Sequence, residues 1–327
     1  MQQPGAGRDI RRIPRVLRHH EIGTGILLRG PERSALRIFL AVLGLASLEV
    51  SARSAQSSSC AADALGAAIG AGNHAAVATL LEQGASPNTP ACEELPLVLA
   101  VQQQDPELVR LLLRHHAEPD CRTSIGRPIL TEVLLAKSPV ADYERGLRQG
   151  TADQQEEGLS LRDHIRDIRW TLLKELLQNG AHPDLADQGG NTPLMTASVL
   201  LELADVEALL AAGANPNAQN DRGVTPLMLT CLAIGGGKQA RLTSADIVES
   251  LLKHGADPNH QSSTGESALM RAAGEDNTAA MKVLRKYGAR TDLRDKEGKD
   301  ALAYARANHR EEAVGTIVWW RKGSRRH

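Results

Sequence analysis

The residues able to carry chemistry are cysteines, histidines, a glycine triplet beside a lysine, and a group of loop aspartates. The four cysteines, Cys60, Cys92, Cys121 and Cys231, are too far apart in sequence to form a CxxC metal pair. His115 and His116 are adjacent, whereas His164, His182, His254 and His260 are scattered, and no HExxH spacing sets two imidazoles on one helix face. Solvated or helix-capping histidines are the plainer reading. Gly235-Gly236-Gly237-Lys238 has the composition of a phosphate loop without its GxxxxGK spacing or a preceding strand, and reads as a flexible insert. Asp292, Asp295 and Asp300 surround Gly298 but lack the alternating Asp/Asn order of a calcium loop. Ser160, Ser198 and Ser244 sit in no nucleophile elbow. The sequence therefore predicts no catalytic residue, no metal ligand and no cofactor site.

Composition says what kind of scaffold holds these residues. The chain has 327 residues, 42% hydrophobic, yet only three Trp, three Tyr and one Phe. An interior that lacks rings must be filled by Leu, Ala, Val and Ile. The same shortage argues against a base-stacking platform for single-stranded nucleic acid, and a formal net charge of −1 argues against a duplex-DNA binder. Small helices repeated many times fit this composition.

A phrase recurs along the chain: GASPN at 84–88, AEPD at 117–120, GAHPD at 180–184, GANPN at 213–217, GADPN at 255–259 and GARTD at 288–292. Leucine pairs precede most copies, as at Leu80-Leu81, Leu176-Leu177 and Leu209-Leu210. Thr192-Pro193-Leu194, Thr225-Pro226-Leu227 and Ser267-Ala268-Leu269 follow three of them. Each part has a mechanical sense. The Thr hydroxyl caps a helix, Pro takes the first helical position, the leucine stripe faces a core, and Gly ends the second helix in the left-handed region.

Period, Thr-Pro-Leu, Leu-Leu and Gly-Ala-x-Pro-Asn together resemble the ankyrin repeat family, most fully over 187–217 and 221–259. The resemblance implies an all-α solenoid of stacked helix-turn-helix units with β-hairpin-like finger loops, about seven units over 60–322. Met195, Met228 and Met270 stand where the family often has His, so the polar bonds of that His are expected to be lost. Pro in the phrase, where Val is common, reads as bacterial variation. Insertions fall near 137–166 in the third unit and 235–243 in the fifth, and residues 323–327 form a basic tail. Tyr304, Trp319 and Trp320 are expected to cover the C-terminal end of the stack.

Residues 1–55 form a separate leader. Arg29, Arg33 and Arg37 lead into an apolar run at 38–48, followed by Ser51, Ala52, Ser54 and Ala55. This is the order of a secretory signal peptide, with cleavage after Ala52 or Ala55 and a start nearer Leu28 giving the usual n-region. An organelle-targeting segment and an uncleaved tail are the other readings. The run is too short for a stable membrane span. Without the nine Arg and four acidic residues of the leader, the remainder carries a net charge near −6. The expected location is periplasmic or secreted, or cytoplasmic if the leader is not functional.

The resemblance implies a protein-binding module; a monomer is expected, and composition and charge argue against a nucleic-acid partner. Its candidate contacts are finger residues: Gln188, Asn191, Asn220, Arg222, Gln261, Thr264, Arg294 and Lys296. The alternatives are a secreted effector binding a host protein and, more remotely, an enzyme using the carboxylates of the third-unit insertion. Cys60 and Cys92 occupy equivalent places in stacked units, about 10 Å apart by helix-packing distances and beyond disulfide reach. Cys92 and Cys121 fall on facing parts of neighbouring fingers and form the candidate disulfide. Cys231 replaces a small first-helix residue and reads as a buried thiol.

Overall fold

The computed structural model describes residues 64–90, 94–136, 166–232 and 238–323, and the ordered elements among them are helices. They fall into pairs: α1 (Ala64–Gly70) with α2 (His74–Glu82), α3 (Pro96–Gln102) with α4 (Pro106–Arg114), α5 (Ile129–Leu135) with α6 (166–178), α7 (Pro193–Leu200) with α8 (Leu203–Ala211), α9 (Pro226–Thr230) with α10 (Lys238–Lys253), α11 (Ala268–Gly274) with α12 (Thr278–Lys286), and α13 (Ala301–Ala307) with α14 (Glu311–Gly323). These are units one to seven. Each first helix packs on the first helix of the next unit, from α1 through α13, so the pairs form one stack. The leader, Cys60, Cys92 and most of the third-unit insertion lie outside the described residues.

Helix starts follow the sequence closely. The hydroxyls of Thr192, Thr225 and Ser267 accept from the N–H groups of Met195, Met228 and Met270 at 3.3–3.4 Å. Asp300 does the same for Ala303 at 2.9 Å. Second helices use Asn73, Asp105 and Asn277, and the Asp105 carboxylate accepts from both Glu107 and Leu108. Each such cap satisfies a donor that the helix cannot, worth about 1 kcal/mol. The expected loss of polar bonds at the methionines is incomplete, because Met270 Sδ accepts from the Ser267 N–H at 3.4 Å.

Helix ends explain the Gly-Ala of the phrase. Gly84, Gly180, Gly213, Gly255 and Gly288 all have φ near +90°. The next residue then turns its N–H back to a carbonyl five residues earlier: Ala181 to Leu176, Ala214 to Leu209, Ala256 to Leu251 and Ala289 to Leu284. This is the Schellman closure. Unit two has His116 in the glycine place, at φ 66°. The tight corner between the two helices of a unit closes likewise, with Gly72, Gln104, Leu201, Asp276 and His309 in the left-handed region.

The core is a continuous row of aliphatic side chains, including Leu108, Leu112, Leu172, Leu176, Leu194, Leu209, Leu227, Leu251, Leu269 and Leu284. Full burial of each contributes about 2–3 kcal/mol. Two expectations change. Residues 238–243, read as part of a flexible insert, are helical and extend α10 to 16 residues against nine in α8 and α12. Buried Ser244 fastens this extension by donating to the Thr230 carbonyl and accepting from Asn277 Nδ2. Trp319 does not cover the stack end; it is 73% exposed, while Tyr304 and Trp320 are the rings packed against the core. Among the described residues no helix is long and apolar enough to cross a membrane.

Candidate partner-binding surface

The fingers are built from one backbone plan. A first polar residue accepts from the N–H groups two and four residues on, and a left-handed glycine sits fourth. Asp187 Oδ1 accepts from Gly189 and Asn191, Asn220 Oδ1 from Arg222 and Val224, Ser262 Oγ from Thr264 and Glu266, and Asp295 Oδ1 from Glu297 and Lys299. Thr123 makes the longer of these two bonds, to Arg127.

Neighbouring fingers are then tied backbone to backbone. The Asp221 N–H donates to Gly189 O at 3.1 Å, Ser263 to Arg222 O at 2.9 Å and Lys296 to Thr264 O at 3.0 Å. This approach needs the glycine: a Cβ at Gly265 would stand 2.9 Å from Asp295 Cα, and its φ is +84°. Side chains reinforce the row. Gln261 Nε2 donates to Gly265 O and to Arg294 O.

This plan divides the eight candidate contact residues. Asn191 and Asn220 are buried; Asn220 Nδ2 donates to Asn191 Oδ1, and Asn191 Nδ2 bonds the Asp187 carboxylate. Together with Gln261 they hold fingers to one another, so their amides point into the array. Gln188, Arg222, Thr264, Arg294 and Lys296 are exposed. Of these, Arg294 donates to Gly298 O and Thr264 shares a hydroxyl contact with Ser262, while Gln188, Arg222 and Lys296 have side chains free of hydrogen bonds. Sequence reasoning missed Ile125, a fingertip residue that is 59% exposed. Its place in the third position of the finger plan, equivalent to Arg222 and Thr264, was the available signal.

Charges on the first-helix side are largely paired. Arg127 meets Glu132 at 2.7 Å, and Arg271 meets Glu266 at 2.9 Å. Tyr304 donates to both Asp295 Oδ2 and Glu266 Oε1. Burial, then the Asp295 carboxylate, pushes its phenol above the ordinary range. Burial works against ionisation of Asp295, yet the Lys299 N–H and the Tyr304 hydroxyl hold its carboxyl below the ordinary value.

Among the described residues no three His, Cys, Asp or Glu side chains converge as metal ligands. Cys121 and Cys231 are buried free thiols, pushed up to about 12 by burial, far from thiolate reactivity. Cys92, the expected partner of Cys121, lies outside the described residues. A cleft of about 280 Å³ is lined only by second-helix residues, among them Ala78, Arg110, Leu111 and Arg114.

Comparison with known families gives a direct result. A family model for ankyrin repeats in three copies matches residues 238–323, and the single ankyrin repeat matches 93–124 and 189–221. No curated protein matches the chain. Chains carrying these repeats are generally protein-interaction modules and typically non-enzymatic.

Proposed function

We propose that this ankyrin-repeat chain is an exported interaction module, without catalysis, that holds a protein partner on the face formed by its fingers and first helices. The observation that carries the reading is the division of labour in the fingers. In each finger that starts at Thr123, Asp187, Asn220, Ser262 or Asp295 that first side chain fixes the loop through backbone N–H groups, while Gln188, Arg222, Thr264, Arg294, Lys296 and Ile125 stand exposed on that frame. Preorganised tips lose little conformational freedom on binding. Arg is also among the residues that most often carry binding energy.

Export rests on the order of the leader, an Arg-rich segment, an 11-residue apolar run and small residues at 51–55. The two halves of the reading are tested separately. N-terminal sequencing after cell fractionation should find a chain beginning at Arg53 or Gln56 outside the cytoplasm. An intact leader on cytoplasmic protein overturns export alone. For binding, a partner captured by the wild-type chain should be released when Arg222 and Lys296 are both changed to Ala. Circular dichroism should show the fold unchanged. Equal retention by that variant overturns the fingers as the binding face.

A further inference from the structure

The seams between units are not alike. At three of them the last residue of the phrase is Asn and makes two bonds to the next unit. Asn88 donates to His116 O and accepts from Glu118, Asn217 donates to Gly255 O and accepts from Asp257, and Asn259 donates to Gly288 O and accepts from Arg290. At the seams on either side of unit three the residue is instead an Asp that only accepts: Asp120 from the His182 N–H at 2.6 Å, and Asp184 from the Asn215 N–H at 2.9 and 3.1 Å, which leaves Gly213 O without a side-chain donor. The second of these seams, between units three and four, differs further.

The same seam lacks the finger bond. The N–H of Gln188 does not reach Ile125 O, whereas the equivalent N–H groups of Asp221, Ser263 and Lys296 each reach the finger before. An exposed side-chain bond stands instead, from Arg122 Nη1 to Ala186 O at 2.9 Å.

The interior agrees. Five buried side-chain polar atoms among the described residues have no hydrogen-bond partner, and four lie on the helices of units three and four: Thr131 Oγ1 on α5, Ser198 Oγ on α7, Arg169 Nε on α6 and Asp205 Oδ2 on α8. Arg169 Nη2 lies 3.2 Å from Asp205 Oδ2 and 3.1 Å from Glu202 Oε1, close enough for attraction but without hydrogen-bond geometry. By contrast, the seam between units two and three has Arg110 donating twice to Glu175 and Glu94 accepting twice from Ser124.

We propose that the seam between units three and four is a built-in hinge, at which the array opens as two cooperative blocks, residues 64–178 and 189–323. In a stack where each unit touches only its neighbours, cooperativity passes through the interfaces, and a poor interface uncouples what lies on either side. Opening there would part the finger row between Ile125 and Gln188, so the two groups of fingertips change spacing without any finger changing shape.

The tryptophans allow a test on the full chain. Trp170 lies in α6 of the first block, and Trp319 and Trp320 in α14 of the second. Urea unfolding of W319F/W320F reads the first block and that of W170F reads the second. The two midpoints should differ, each with a slope below that of a single transition for the whole array. D184N restores the donor facing Gly213 O and should close at least half of the gap. N217D removes the same donor from a seam inside the second block, so it should lower the midpoint read in W170F and leave the midpoint read in W319F/W320F where it is. Coincident transitions overturn the hinge. A gap that ignores D184N, or an N217D change that moves the first block's midpoint as far as the second's, overturns its placement.

Discussion

Asn217 and Asn259 show how much one amide type decides. Each uses Nδ2 to satisfy a glycine carbonyl at a helix end and Oδ1 to fix the chain two residues on. Asn217→Ala should therefore cost about 1–3 kcal/mol for the two bonds, read as a lower urea midpoint with unchanged slope. Asp205 makes the matching case for charge. Burial raises its carboxyl to about 6, and Arg169 opposes this only in part. The unfolded group titrates near 3.9. Between these values the folded chain keeps a proton that the unfolded chain has released, so stability falls as the pH rises from about 4 to about 6. The loss is about 2–3 kcal/mol from this group. Glu275, also raised by burial, adds the same sign. Asp105 and Asp300, held low despite burial by His74 and Arg321, act the other way and only below about pH 4. Urea midpoints should thus be higher at pH 5 than at pH 7, and Asp205→Asn should flatten that difference. None of this was legible in the sequence. Asn191, Asn220 and Gln261 were visible as finger residues, but polarity and loop position do not say whether an amide faces solvent or the next finger.

Elements were far more legible, because their ends are chemical. Thr-Pro-Leu announced the starts of α7 and α9, and Gly-Ala announced the ends of α8, α10 and α12. The extension of α10 was hidden by the glycine triplet before it, since glycine signals a break and the following residues were counted with it. Trp319 was misplaced because the register of the last helix is set by Ala313 and Ile317 in the core, which turns position 319 outward. Helix ends also give the element-scale prediction. His116 occupies a left-handed place that elsewhere holds glycine. Its backbone strain, about 1–2 kcal/mol, exceeds the entropic cost of glycine, about 0.5–1 kcal/mol. His116→Gly should raise stability by about 0.5–1 kcal/mol. Gly265→Ala should lower it by more than 1 kcal/mol, because strain and the close approach of Asp295 add. Thermal melts of the two variants check both signs.

At the scale of the molecule, stability is a sum over units and seams. Removing residues 300–327 takes away α13 and α14 together with their packing on α11 and α12. The remaining chain should keep its helical circular dichroism, less the share of the two lost helices, and melt at a lower temperature. Complete loss of helicity would contradict a stack held by nearest neighbours. The finger row has a further property, which is direction. From Asp221 onward each finger hands an N–H to the one before it, and among the described residues the row ends at Glu297 with a carbonyl that no later finger has claimed. Nothing in that geometry fixes where the series must stop. In-frame copying of one period would present the same donors to the same acceptors. The number of units is therefore a quantity that gene duplication can set, and chain length can drift in whole periods while every existing joint stays as it is.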